Sequence, residues 1–321
     1  MSVVNQDSRN ITDLSLKQDD MFTNVINGLT SNPKTIAAKY LYDELGSKQF
    51  EKITDLDEYY QTRTEFDILN QSHVSITKLM GKDVDLIELG SGSSTKTHVL
   101  LDETNLNSYI PIDISTTMLT NTVDQLEKDY PKLKIHGIVA DYTQAFSLPE
   151  LGGNKKVVFF PGSTIGNFEP FEAAMFLKQL SNTLNKGDGL LIGVDLRKDQ
   201  HIIEQAYNDK QGITAAFNMN LLTRMNRELQ TDFQVENFYH HAFYNAVKSR
   251  IEMHLVSKAV QTVNLQDQKV EFAKNETIHT ESSYKYSVSS FQKLCTKCGF
   301  KPVEVFEDKN NWFSVHYLEV T

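Results

Sequence analysis

Three short groups of residues have the types and spacing of a nucleoside-binding site. The run Glu88-Leu89-Gly90-Ser91-Gly92-Ser93-Ser94 follows an apolar stretch and precedes a helical one. Glycines at such a bend let the backbone turn tightly and approach a ligand that larger side chains would exclude. Asp113 ends the next apolar run, where an acid can accept hydrogen bonds from ribose hydroxyls. Asp141 and Tyr142 end the third, where a carboxylate can meet an adenine amino group and a ring can lie beside it. Lys96, in the first turn after the glycines, can pair with a ligand carboxylate or stand as an ordinary exposed helix lysine. Position 95 is Thr, so the third glycine of a pyrophosphate-binding G-x-G-x-x-G is missing. The set suits a nucleoside without a diphosphate: S-adenosylmethionine fits, and NAD fits less well.

These groups need strands to carry them. Apolar runs bounded by turn residues fall at 84–89, 109–113, 135–140, 157–160 and 189–196, with helix-period stretches such as 115–130 and 171–184 between them. Buried parallel strands are apolar throughout, as these are. Strand–helix alternation predicts a doubly wound, Rossmann-like α/β sheet whose ligands bind at the carboxyl ends of the strands. Two segments break the rhythm. Residues 1–62 read as helical and lead into the aromatic, polar loop Asp57-Glu58-Tyr59-Tyr60-Gln61-Thr62-Arg63. Residues 199–285 hold a helix at 213–229 and long β-like runs at 238–247 and 250–263. A helix at 288–298 ending at Gly299, then strands at 301–306 and 313–320, close the chain. The expected organisation is a cofactor-binding domain of 63–198 plus 286–321 and a second, α+β substrate lobe of 1–62 plus 199–285.

Composition narrows the function further. The 321 residues are 40% hydrophobic, enough for a sizeable core. A formal net charge of −10 without a basic run argues against nucleic acid or an anionic membrane as the main ligand. Two cysteines, Cys295 and Cys298, cannot staple a secreted scaffold. Their single CxxC continues the apolar helix face of Val288, Phe291 and Leu294, which favours buried thiols over zinc. His240 and His241 are adjacent in a strand-like run and point to opposite faces. No metal site is expected. With no apolar run of signal or membrane-span length, a cytoplasmic location is expected, and no long exposed apolar run demands a partner beyond a monomer.

Longer motifs carry a resemblance. Tyr40-Leu41-Tyr42-Asp43-Glu44-Leu45-Gly46-Ser47, the Asp57–Arg63 run with Thr64-Glu65, and the glycine bend resemble the histidine-specific S-adenosylmethionine-dependent methyltransferase family. So do Pro161-Gly162-Ser163-Thr164-Ile165-Gly166-Asn167, Gly212-Ile213-Thr214-Ala215-Ala216-Phe217-Asn218, Arg250-Ile251-Glu252-Met253 and Thr280-Glu281-Ser282-Ser283. The likeness runs from about residue 20 to the C-terminus. It implies a class I methyltransferase fold with substrate held between two lobes, and Nα-trimethylation of L-histidine to hercynine, a step of ergothioneine biosynthesis. Cofactor contacts carry over onto Gly90, Lys96, Asp113, Asp141 and Tyr142. Histidine contacts carry over onto Tyr59, Asn167, Tyr207, Glu281, Ser282 and Ser283, with Tyr42 and Met253 nearby. Within that assignment Asn167 and Tyr207 hold the substrate carboxylate and Glu281 accepts the imidazole N–H. Tyr42 orients the amine, and no catalytic base is assigned. Tyr284, Tyr286 and His254 depart from the family pattern. The alternative is the same chemistry on another amino acid or amine, such as tryptophan or an indole derivative.

Overall fold

A computed structural model of the chain describes residues 10–14, 20–92, 94, 96–102, 106–144 and 152–321. Ser93 and Thr95 of the glycine bend, and residues 1–9 and 15–19 of the expected second lobe, lie outside the described residues. The described residues fall into two compact units. The first gathers 10–14, Arg63–Leu196 and Tyr286–Thr321; the second gathers 20–62 and Arg197–Lys285.

The first unit is built on one sheet. Its strands run in the order Ile11–Asp13, Gly137–Val139, Leu106–Asp113, Val84–Leu89, Lys155–Phe160, Gly189–Asp195, Phe313–Val320, Phe300–Glu307. The pairings are parallel through Gly189–Asp195, and the last two strands add antiparallel. Sequence order reverses beside Val84–Leu89, and that reversal opens a crevice at the strand's carboxyl end. Both faces are covered. Ile87, Leu89, Ile110 and Ile112 pack under helices Pro170–Thr183 and Val288–Lys297. Leu86, Val84 and Tyr109 pack against Ile68, Leu69 and Ile76, and against Leu119, Val123 and Leu126 of helix Thr116–Asp129. That helix forms because its apolar residues recur every three or four positions and Ser115 caps it, its hydroxyl accepting from the Met118 N–H.

The second unit has its own four-stranded sheet, in the order Lys34–Thr35, Thr277–Tyr284, Arg250–Ser257, Phe238–Asn245. Helices Met21–Thr30, Glu44–Thr54, Gln200–Tyr207 and Ile213–Leu229 accompany it. The Tyr40–Ser47 motif is a structural junction here. Asp43 caps Glu44–Thr54 by accepting from Gly46 N–H at 2.7 Å, and it also accepts from Asn220 Nδ2 at 2.8 Å and Arg227 Nη2 at 2.7 Å. A Cβ on Gly46 would overlap the Leu41 carbonyl oxygen.

Three expectations are corrected. Residues 1–62 do not all belong with the second unit, because Ile11–Asp13 pairs in parallel with Gly137–Val139 of the first unit's sheet. The loop read at 57–63 ends early: helix Tyr60–Met80 begins inside it. The strand read as 250–263 breaks after Ser257, whose hydroxyl donates to the Ala259 carbonyl and turns the chain out of the ladder. Gln261–Leu265 then pairs with Gln268–Phe272 as a separate hairpin.

Candidate functional site

In the first unit the glycine bend follows Val84–Leu89 directly. Gly90 (φ +68°) and Gly92 (φ +50°) are in the left-handed region, which side chains resist, so the bend depends on glycine at both. The ring of Tyr142 lies against Gly90, at 3.5 Å from where a Cβ would stand. Asp113 holds the bend in place. Its Oδ2 accepts from the Gly92 N–H at 3.0 Å and its Oδ1 from the Ser115 N–H at 2.9 Å. Each carboxylate oxygen keeps a further lone pair for a ligand. Burial pushes the Asp113 carboxyl upward, and the backbone N–H groups oppose that. Asp141 Oδ1 accepts from the Thr143 N–H at 3.0 Å and hydroxyl at 2.5 Å. Tyr142 packs edge-on to Phe160, with centroids 5.6 Å apart. Ser91 Oγ is buried without a protein partner. A buried orphan of this kind invites a polar atom from outside the chain. The bend, Asp113, Asp141 and Tyr142 thus gather at adjacent strand ends, as a nucleoside requires.

Lys96 is engaged in the fold. Its ammonium pairs with Glu65, a fully buried carboxylate on helix Tyr60–Met80. Glu65 also accepts from the Gly162 N–H at 2.9 Å, and it fills the space a Cβ on Gly193 would need. Removing one member of such a buried pair costs about 3–5 kcal/mol. Gly162 (φ +77°) and Ser163 (φ +56°) open the turn Thr164–Asn167, and Ser163 Oγ accepts from the Asp195 N–H at 2.8 Å. Glu65 therefore fastens Lys96 to the loop that carries Asn167. Glu65 lay within a recognised motif but had no assigned role. An acid on the same helix face as Ile68, Leu69 and Ile76 is the signal that it would be buried and paired.

In the second unit, strand Thr277–Tyr284 carries a bulge. Met253 pairs with Glu281 and His254 with His279, leaving Thr280 as an extra residue. Bulges re-aim the side chains beside them. From there Glu281, Ser283 and Lys285 alternate onto one face, opposite Met253 and Ile251. Glu281 Oε2 is buried without a protein partner. Burial pushes its carboxyl up to about 7, opposed by the charge of Lys285. Lys285, 2% exposed, donates to Ser283 Oγ at 2.9 Å and lies 5.3 Å from the centroid of the Tyr207 ring. Tyr207 meets Tyr59 edge-on at 6.3 Å. Phe50 links Tyr59 (6.3 Å) to Tyr42 (5.5 Å), and Phe217 lies 5.4 Å from Tyr42. Phe50, Phe217 and Lys285 escaped the sequence reading. Strand alternation from Glu281 was the available signal for Lys285.

A hydrogen-bond relay holds Tyr207. Its carbonyl accepts from His240 Nε2 at 2.9 Å, and His240 Nδ1 accepts from Asn218 Nδ2 at 3.0 Å, a tautomer assigned from these partners. Asn218 Oδ1 accepts from the Thr280 hydroxyl at 2.7 Å. Burial keeps His240 below the usual imidazole range, hence neutral. Asp209 starts the helix bearing Asn218 by accepting from the Ile213 and Thr214 N–H groups at 2.9 and 2.8 Å. The Gly212–Asn218 motif is the scaffold of this relay.

Ser282 is corrected as a binding residue. It alternates to the other face of the sheet, where its hydroxyl bonds His279 Nε2 at 3.0 Å. The departures His254 and Tyr284 share that other face. His254 bonds Glu252 at 3.0 Å, and Tyr284 Oη accepts from Arg250 Nη1 at 2.8 Å. Tyr286 lies in the first unit, edge-on to Phe291. Glu252, His254 and His279 have ligand atoms within 4.8 Å of one another. Arg250 already neutralises Glu252 at 2.7 Å, so the cluster reads as an ion-pair network. Cys295 and Cys298 are free, buried thiols whose pKa values burial raises. A cavity of about 460 Å³ lined by Asn10, Glu127, Tyr130 and His136 contains none of the glycine-bend residues, and Asn10 there already donates to Glu127.

Comparison with known proteins identifies the family. Residues 21–320 match the family described as "Histidine-specific methyltransferase, SAM-dependent". The chain is similar to the histidine N-alpha-methyltransferase of Mycolicibacterium smegmatis, 39% identical over 88% of this chain and 89% of that protein. It is 37% identical to the histidine N-alpha-methyltransferase of Mycobacterium tuberculosis over 98% of each. It is 30% identical to ergothioneine biosynthesis protein 1 of Neurospora crassa over 89% of this chain and 33% of that longer protein.

Proposed function

This chain belongs to the histidine-specific S-adenosylmethionine-dependent methyltransferase family, and on that premise we propose that it methylates the α-amino nitrogen of L-histidine three times. The product is Nα,Nα,Nα-trimethyl-L-histidine, or hercynine, a step of ergothioneine biosynthesis. The observation that carries the substrate assignment is the buried, partnerless Oε2 of Glu281, flanked by Ser283 and Met253 on one face. An acceptor left bare in the protein suits a ring N–H supplied by the substrate, and its burial makes an unpaired analogue costly.

The first unit fits the cofactor on its own features: a glycine bend against Tyr142, an acid at each of the next two strand ends, and the orphaned Ser91 hydroxyl. Gly90, Asp113, Asp141 and Tyr142 would hold the nucleoside, and Lys96, seated on Glu65, the amino-acid end. S-adenosylmethionine held there would supply a sulfonium-bound methyl for in-line transfer to the amine lone pair, with the sulfur departing as a neutral thioether. The chain's task is orientation. In the second unit Tyr207 serves the substrate carboxylate, and Glu281, Ser283 and Tyr59 serve the ring. The attacking form is the neutral amine, so the substrate ammonium first gives a proton to solvent, and because the sulfonium already activates the methyl no strong base is assigned. After each of the first two transfers the ammonium gives a proton to solvent before the next. Tyr42 and Tyr59, in one aromatic cluster, favour the growing cation by about 0.5–2 kcal/mol per ring face.

The acidic composition supports a small-molecule substrate over nucleic acid or an anionic membrane, and we take the enzyme as a cytoplasmic monomer. Among the described residues no helix is long and apolar enough to cross a membrane. Mass spectrometry of the purified protein with S-adenosylmethionine and single amino acids tests the activity. Mono-, di- and trimethylhistidine are expected. Turnover of tryptophan or another amine in preference to histidine would overturn the substrate assignment.

A further inference from the structure

Lys285 stands out among the groups to which no role has been given. A lysine 2% exposed is uncommon, because burying an ammonium is costly unless something repays it. Lys285 touches both arms of the second unit's polar face. It donates to Ser283 Oγ at 2.9 Å and lies 5.3 Å from the centroid of the Tyr207 ring. It also lies two strand repeats from Glu281 on the same face, with Ser283 between.

We propose that Lys285 is a positioning and specificity-determining residue: its buried ammonium holds Glu281 as an acceptor for a ring N–H and ties the ring-side serine to the carboxylate-side tyrosine. This rests on the proposed histidine activity and deepens it.

The electrostatics of the surroundings support the inference. Burial raises the Glu281 carboxyl to about 7, and the charge that lowers it is that of Lys285. Arg197 Nε donates to the Lys285 backbone carbonyl at 3.3 Å, and further ionisable groups on the packed elements are engaged away from Glu281. Lys34 pairs with Glu276 at 2.5 Å, and Arg250, Glu252 and His254 form their network on the sheet's opposite face. Lys39 and Tyr40, in the turn Ala38–Leu41, stack on each other at 5.4 Å. His279 is held neutral, near 4, by burial, with Nε2 on the Glu281 carbonyl and Ser282. Without the ammonium, Glu281 takes up a proton at higher pH and offers an O–H where an acceptor is wanted.

Lys285→Met keeps the stem and removes the charge; Lys285→Arg keeps the charge. Steady-state kinetics with L-histidine and L-tryptophan from pH 6 to 9 would be paired with calorimetric binding of S-adenosylhomocysteine. For Lys285→Met we expect KM for histidine to rise tenfold or more at pH 7 with kcat within about threefold. The acid limb of kcat/KM should move to higher pH, and the histidine-to-tryptophan preference should fall about tenfold. Lys285→Arg should stay within about threefold with its acid limb unmoved, and S-adenosylhomocysteine affinity should not change in either. On a Glu281→Gln background, Lys285→Met should add less than twofold, since the group it acts on is gone. Unchanged KM and limb in Lys285→Met, or full additivity with Glu281→Gln, overturns the role. So does an equal loss in Lys285→Arg. Should Lys285→Met fail to bind S-adenosylhomocysteine, Lys285→Gln takes its place under the same criteria. Wild-type protein that leaves histidine untouched sinks the activity itself, whereas active wild type with an indifferent Lys285 sinks this inference alone.

Discussion

At the scale of single residues the proposed recognition of histidine rests on what burial does to Glu281. Its carboxyl is raised to about 7 by desolvation, so the accepting, ionised form prevails above that pH and is lost as pH falls through it. Rate against histidine should therefore fall along two limbs on acidification, an upper one from the substrate amine and a lower one from Glu281 near 7. Glu281→Gln should keep the first limb, lose the second and lower kcat/KM at pH 8 by about a hundredfold or more. Initial rates from pH 5.5 to 9 decide it; two limbs surviving in the variant would assign the lower one elsewhere. Lys96 presents the complementary case, a cation matched to a buried carboxylate. Lys96→Met strands Glu65 and should cost about 3–5 kcal/mol in urea unfolding. Adding Glu65→Gln, whose amide oxygen can still accept from Gly162, should recover most of that loss. An additive double variant would mean that the pair is not coupled.

At the scale of elements, both sets of residues depend on how strand ends and turns are fastened. Asn218 is the middle of the relay from Thr280 through His240 to the Tyr207 carbonyl. Asn218→Ala leaves those buried groups without partners and should destabilise by about 2–4 kcal/mol. The measurement is the urea midpoint at constant slope, with KM for histidine raised because Tyr207 is no longer held. Gly193→Ala acts at the other end of the molecule's logic. Its Cβ meets Glu65, so strand Gly189–Asp195 or the Lys96–Glu65–Gly162 fastening must shift. Loss of S-adenosylhomocysteine affinity by at least tenfold is expected by calorimetry, and near-native binding would show that the strand yields freely. Of these elements, the central strands and the helix at 213–229 were readable from apolar runs and periodicity. The bulge at Thr280 was not, because an extra residue in a ladder leaves no trace in local hydrophobicity. The placement of Ser282 is a different case, since alternation along the strand puts it on the face opposite Glu281 and Ser283.

At the scale of the whole molecule, each of the two units carries its own set of proposed binding residues. S-adenosylhomocysteine should slow amide exchange at 90–94, 96–97, 113–115 and 140–143 of the first unit. Adding L-histidine should extend protection to 207 and 281–285 of the second. Hydrogen exchange by mass spectrometry reads both, and histidine protection confined to other segments would contradict the substrate assignment. Saturation with the first ligand at a hundredfold its Kd should add about 2.7 kcal/mol to the stability of the unit that binds it.

By itself the amino-acid order determined the parallel core, the glycine bend, the acids at the strand ends and the family to which they belong. Those features are local: apolar runs, turn residues and contiguous motifs are written along the chain. Only the tertiary structure decided that Glu65 holds Lys96, that Lys285 lies buried against Ser283 and Tyr207, and that Thr280 is an extra residue between Glu281 and His279. These depend on which side chains meet across long separations, and on a bulge that sets a strand's facing. Burial and pairing are properties of that meeting, and no run of neighbouring residues encodes them.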